Sequence, residues 1–239
     1  MKIFRLLKGL LLISIHKTLL LNLKLFPLRE LLRFQVLVGR YVSIKNYSNI
    51  KIVDSGGKGR IHIGTAPLFN AVKSDRIIIN NMGKIIFGRG VIIQPGCVLY
   101  TSEHGCIELE GNNRIGTKTQ LLSRKKIRIG KNSGISWNCQ ICDSDFHFIE
   151  NMDNGTILMN TRDVEIGRNV WIGNHVIVSK GVRIADGCIV GQCSFVNKSV
   201  TEEHKILVGS PAKCLEGKFS RIWDVRREKE LADIQAVKV

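Results

Sequence analysis

Proline is scarce, four in 239 residues, while glycine is not, at 23. That balance argues against a Pro-rich disordered polymer and suits a chain with many tight corners. A cysteine framework is lacking too. Seven cysteines are an odd number without framework spacing, which argues against a disulfide scaffold and suits a reducing compartment. Cys139-x-x-Cys142 has metal or redox spacing, but no second pair accompanies it, so it is read as structural and no metal is expected. No apolar run is long enough to cross a bilayer. The longest uncharged stretch near the start, Gly9 to Ile15, is seven residues, against about 20 for a spanning helix. Secretion is not expected either, because His16 and Lys17 interrupt the run and no small-x-small cleavage site follows. The expected location is the cytoplasm, with peripheral contact at the inner membrane face left open.

Acidic residues are few, 20 against 36 Lys and Arg, for a net charge of +16. That invites a nucleic acid, an anionic membrane surface or a phosphate-bearing ligand. No DNA- or RNA-recognition motif is present, so nucleic acid is not expected. The excess is uneven: residues 1–60 hold twelve cations against Glu30 and Asp54, or about +10.

What the chain has in abundance is a six-residue period. Ile166, Ile172, Val178, Ile184, Val190 and Val196 return every sixth position, and a compact residue follows four places after each, from Val170 to Val200. Neither a 3.6-residue helix nor an independent alternating strand has that period. A chain that turns a corner every six residues does, so that three short strands make one triangular coil. Gly167, Gly173, Ala185 and Gly191 suit corners with little room. The same register is readable at Phe87, Ile93 and Leu99, at Leu109, Ile115 and Leu121, and at Ile129, Ile135 and Ile141. These fifteen positions amount to five coils of a parallel β-helix, each stabilised by stacking on its neighbours. Residues 41–86 contain β-like runs without a clean register and read as irregular opening coils.

Residues 1–40 are Leu-rich and basic and read as a helical segment divided by Pro27. Residues 1–38 suit either packing on the β-helix end or lying on acidic lipid. Residues 41–213 form the β-helix domain, and 214–239 read as a terminal helix.

Nineteen extra residues separate Ile141 from Ile166. The next inward position would be His147, and an imidazole cannot replace an aliphatic side chain in a dry core without a partner. The chain therefore leaves the lattice as a loop, residues 142–165, and so long a loop in a compact repeat is usually functional. If its first residues stay extended, Asp143, Asp145 and His147 share one side. A carboxylate beside an imidazole suits a general base near neutral pH. A solvated acidic loop with an incidental histidine is the bland alternative.

The run from Ile129 to His147, the block Ile166-Gly-Arg-Asn-Val-Trp-Ile-Gly-Asn-His, and the closing Val208-Gly-Ser-Pro-Ala-Lys213 together resemble the hexapeptide-repeat acyltransferases. The similarity is greatest to the bacterial O-acetyltransferases of surface-polysaccharide synthesis, with galactoside and maltose acetyltransferases more distant. The resemblance covers roughly residues 85–215. It implies an all-β, left-handed β-helix, a homotrimer with its active site between subunits, acetyl-CoA as donor and a saccharide acceptor. It also implies His147 as the general base, with Asp145 as the candidate to orient it. Asp143, Trp137 and Asn138 are acceptor-binding candidates, and Asn174, Gln192, Asn197, Lys198 and Lys213 line the expected CoA path. Where the sugar acetyltransferases carry another basic residue three places after that lysine, this chain has Glu216, with Lys218 and Arg221 nearby. Transfer to an amino sugar's nitrogen or to serine are the alternatives within the class, and a non-catalytic basic scaffold or nucleic-acid binder is the alternative outside it. Zinc-dependent β-helix relatives need two histidines five apart, and no such pair exists.

Overall fold

The computed structural model describes residues 12–53, 59–65 and 75–236. Residues 1–11, the start of the basic Leu-rich segment read as a lipid-facing candidate, lie outside them, as do 54–58, 66–74 and 237–239.

The chain winds as a left-handed parallel β-helix of triangular cross-section. Its three sheets hold nine, seven and six strands among the described residues. The first sheet runs from Val36–Val38 to Ala212–Cys214, the second from Val42–Lys45 to Phe195–Val196, and the third from Ile50–Val53 to Arg183–Ile184. The fifteen expected register positions form three inward columns. Ile93, Ile115, Ile135, Ile172 and Val190 stack in the first sheet. Leu99, Leu121, Ile141, Val178 and Val196 stack in the second, and Phe87, Leu109, Ile129, Ile166 and Ile184 in the third. None is more than 3% exposed. Corners are as tight as the glycines suggest: a Cβ on Gly173 would lie 2.7 Å from the backbone nitrogen of Gln192 in the next coil.

The helix begins earlier and more regularly than its sequence suggests. Val36–Val38, Val42–Lys45 and Ile50–Val53 form a first coil, and Ile61–Ile63, Ile77–Asn81 and Lys84–Gly88 a second, in the same three sheets. Their inward residues Val38, Ile44, Ile52, Ile63, Ile79 and Phe87 stack in register although they are spaced unevenly in the sequence.

An α-helix, α1 (Ile15–Leu25), lies across the open starting edge. It meets the first strand with polar side chains. Asn22 donates to the Val36 carbonyl at 2.7 Å and accepts from the Val36 amide at 3.2 Å, and the Thr18 hydroxyl accepts from the Val38 amide at 3.0 Å. An unpaired strand edge is a template for foreign strands, and α1 covers this one. Pro27 follows, then a short 3-10 turn, Leu28–Arg33. At the other end Ile206–Gly209 and Ala212–Cys214 pair antiparallel. The tail then returns along the first sheet, its Phe219 amide bonding the His204 carbonyl, before α2 (Val225–Ala236).

Candidate active site

The interruption after Ile141 costs the stack nothing, because Val164 rejoins the third sheet in register with Ile127. Between them the chain runs out and back as an arm. Ser144 bridges Thr161 and Glu150 bridges Ile157, both antiparallel, around a turn near residues 151–155.

Asp143 anchors the base of this arm. It is fully buried, and its carboxylate accepts from the Ser123 hydroxyl at 2.6 Å and from the amides of Arg124 and Lys125 at 2.7 and 3.0 Å. Asn81, Thr101 and Ser123 occupy the same place in the three preceding coils, so Asp143 is the top rung of a buried polar ladder. With no exposed surface it meets no acceptor, which corrects the expectation that it contacts acceptor hydroxyls. The shared side with Asp145 and His147 is also lost. Phe146 adopts a left-handed conformation (φ 62°), which breaks the alternation an extended strand requires. Its ring packs on Tyr100, and Arg124 donates to its carbonyl at 2.9 Å. Asp145 pairs with Lys180, whose ammonium also holds the Met159 carbonyl on the returning strand. That ammonium, rather than the His147 ring, is the partner of Asp145. His147 itself is exposed at the arm's base.

A second feature lies on the first sheet. All three tryptophans of the chain, Trp137, Trp171 and Trp223, line one groove of about 550 Å³. The returning tail forms its far wall. The Arg221 guanidinium sits 4.9 Å from the Trp171 ring centroid and 4.2 Å from that of Trp223, a cation held between two π faces. The Trp171 indole N–H donates to the Ser136 hydroxyl at 3.4 Å. Arg114 and an asparagine ladder, Asn112 to Asn132 to Asn169, complete a lining that includes no carboxylate. Arg114, Ser136 and Trp223 escaped the sequence reading, and Arg221 entered it only as a basic residue near the CoA phosphates; the convergence of every tryptophan on one surface is the signal that marks them.

The expected residues fall at separate edges of one protomer. Trp137 lines the groove, and Asn138 beside it contacts His175 Nε2 at 3.3 Å. Asn174 and Gln192 follow along that edge, between the first and second sheets. Asn197 and Lys198 lie between the second and third sheets, on the arm's edge, and Lys213 lies in the closing hairpin. In a triangular prism the arm's edge is the one opposite the groove. Cys139 is buried within the coil and, among the described residues, no His, Cys, Asp and Glu cluster is placed to hold a metal.

Comparison with known proteins bears on what this arrangement serves. The model of the bacterial transferase hexapeptide (six repeats) matches residues 163–198. An uncharacterized 24.8 kDa protein in the cps region of Klebsiella pneumoniae is 30% identical over 197 residues, 82% of this chain and 86% of that one. The chain belongs to the hexapeptide-repeat acyltransferases. Another relative of this acyltransferase is the putative lipopolysaccharide biosynthesis O-acetyl transferase WbbJ of Escherichia coli (strain K12). It is 28% identical over 156 residues, 61% of this chain and 79% of the relative. The crystallised polysialic acid O-acetyltransferase OatWY superposes with a TM-score of 0.61 over 83% of this chain and 94% of its own, at 22% identity, a likeness of fold. Among the described residues of the acyltransferase, no helix is long and apolar enough to cross a membrane.

Proposed function

We propose that this acyltransferase carries an acetyl group from acetyl-CoA to a saccharide hydroxyl during assembly of a bacterial surface polysaccharide. Membership of the family and the WbbJ relationship support the reaction class. The groove carries the acceptor assignment: its indole-lined wall, with Trp137 beside the Arg221-bridged Trp171 and Trp223, suits the apolar surface of sugar rings, while the asparagines and arginines suit their hydroxyl edges.

In this reading His147 takes the proton of the acceptor hydroxyl as its oxygen attacks the thioester carbonyl. A backbone N–H in the cleft stabilises the oxyanion. Collapse breaks the carbon–sulfur bond, and the imidazolium returns its proton to the departing thiolate. Lys180 and Asp145 tie the arm's two strands together and so hold His147 at its base. Asn174, Gln192, Asn197, Lys198 and Lys213 flank the path of the CoA arm and its phosphates.

Because the arm leaves the edge opposite the groove, base and groove meet only between subunits, and a homotrimer closes three such sites. The arm is built for a protein surface: Phe148 is 72% exposed, Met152 89% and Met159 63% on one protomer. The test is thiol release from acetyl-CoA across a panel of sugars. Wild-type release depends on an acceptor, and His147→Ala lowers it by about 10²- to 10⁴-fold with the fold intact. Retention of near-wild-type transfer would remove His147 from the base's role.

A further inference from the structure

Helix α1 is patterned the wrong way round for a surface helix. Its inward face presents Thr18 and Asn22 to the strand edge, together with Leu21. Its outward face carries Ile15, Leu20 and Leu23, at 73%, 41% and 48% exposure, and Leu28 beyond Pro27 is 77% exposed. Ile15, Leu19 and Leu23 recur every fourth residue with Leu20 beyond them, so they share one side of the helix, which the exposed His16 interrupts between Leu23 and Leu20. Water is a poor neighbour for that side.

Cations flank it. Lys17 and Lys24 are seven residues apart, on one stripe adjoining Leu20. Lys17 opens onto a pocket of about 310 Å³ lined by Arg40, Arg76, Tyr41 and Tyr47 as well, and by no carboxylate. The Lys17 ammonium donates to the carbonyls of Arg40 and Val42 at 2.9 and 2.8 Å, leaving one of its three N–H donors for a ligand. Lys24 sits 5.1 Å above the Tyr47 ring. Among the described residues, Arg40 and Arg76 have no ion-pair partner. Both are exposed.

We infer that this end of the β-helix docks on an anionic lipid bilayer, with headgroup phosphates in the Lys17–Arg40–Arg76 pocket and the α1 leucines in the acyl boundary. A soluble phosphate would leave the apolar side uncovered, and a neutral apolar partner would leave the cations unmatched. A second copy of so basic a surface would repel the first. An acidic bilayer answers both halves. The inference does not depend on the proposed reaction.

The experiment is co-sedimentation of the full chain with phosphatidylcholine vesicles, with and without phosphatidylglycerol. Binding is expected only with phosphatidylglycerol, weakening as salt rises. An Arg40→Gln/Arg76→Gln variant loses about five-fold in partitioning per charge removed. A Leu20→Ser/Leu23→Ser variant loses a similar amount while its mass by light scattering stays unchanged. Equal binding to neutral vesicles, no binding, or binding indifferent to both variants would overturn the inference. So would a drop in oligomer mass for the leucine variant, which would make this face a contact between copies. Inorganic phosphate that blocks vesicle binding at its own micromolar affinity would also overturn it, by making the pocket a site for a soluble anion.

Discussion

Replacing Asp143 with alanine separates structural from substrate-binding roles at the base of the arm. The carboxylate accepts three hydrogen bonds, a buried one from Ser123 and two part-buried ones from the amides of Arg124 and Lys125. The Ser123 hydroxyl retains an acceptor in the Cys106 carbonyl at 3.1 Å, so two amides are orphaned. An unsatisfied buried donor costs about 1–3 kcal/mol, and both amides are only partly shielded from water, so the lower end applies to each and the loss is about 2 kcal/mol. That is a large share of the roughly 5–15 kcal/mol that holds a typical domain folded. Asp143→Asn keeps one carboxamide oxygen for the amides and is expected to lose about half as much. Urea denaturation followed by tryptophan fluorescence reads both variants, and acceptor KM is measured alongside. A loss under about 1 kcal/mol with a raised acceptor KM would refute the reasoning, by placing this carboxylate at the substrate.

Arg221→Ala removes two cation–π contacts from the groove wall, each worth about 0.5–1 kcal/mol. Acceptor KM should rise about ten-fold with little change in kcat, and an unchanged KM would take the tail out of the acceptor site. Burial pushes the Cys97 thiol up to about 12 and the Cys139 thiol up to about 11. The unfolded chain loses these protons near pH 9 while the folded chain keeps them, so stability falls as pH rises from about 9 toward 11–12. A Cys97→Ala/Cys139→Ala variant should show a flatter loss in denaturation midpoints over that range, and a parallel loss would exclude these thiols as its source. In the native chain a thiol reagent should reach exposed Cys193 and Cys214 but not Cys97 or Cys139, as thiol counting before and after denaturation would show.

The five regular coils were legible because the period is itself the geometry: each sixth residue points inward, and neighbouring coils leave only small residues room at the corners. The first two coils were not, since Ile63 and Ile79 keep their places in the sheets although far more than six residues separate them in the sequence. At the arm, strict alternation assumed an extended chain, and the left-handed turn at Phe146 defeated it. The partners of Asp143 lie about twenty positions earlier, one coil below, where a local reading does not look. The groove's outer wall depends on a tail that doubles back from the closing hairpin, and nothing periodic encodes that return. Within the Leu-rich start, Ile15–Leu25 is helical, while Val36–Val38, read as part of the same segment, is the first strand of the stack. That Thr18 and Asn22 would face inward became clear only once the bare edge of Val36–Val38 was seen to need partners.

The central claim is that His147 of one subunit serves the groove of the next. Co-assembling His147→Ala subunits with Trp171→Ala subunits tests it most directly, because each variant alone lacks one half of every site. Random mixing into trimers should pair an intact base with an intact groove at about a quarter of the interfaces, restoring about that fraction of wild-type acetyl transfer. Activity no higher than that of either variant alone would contradict the account, because base and groove would then belong to the same chain.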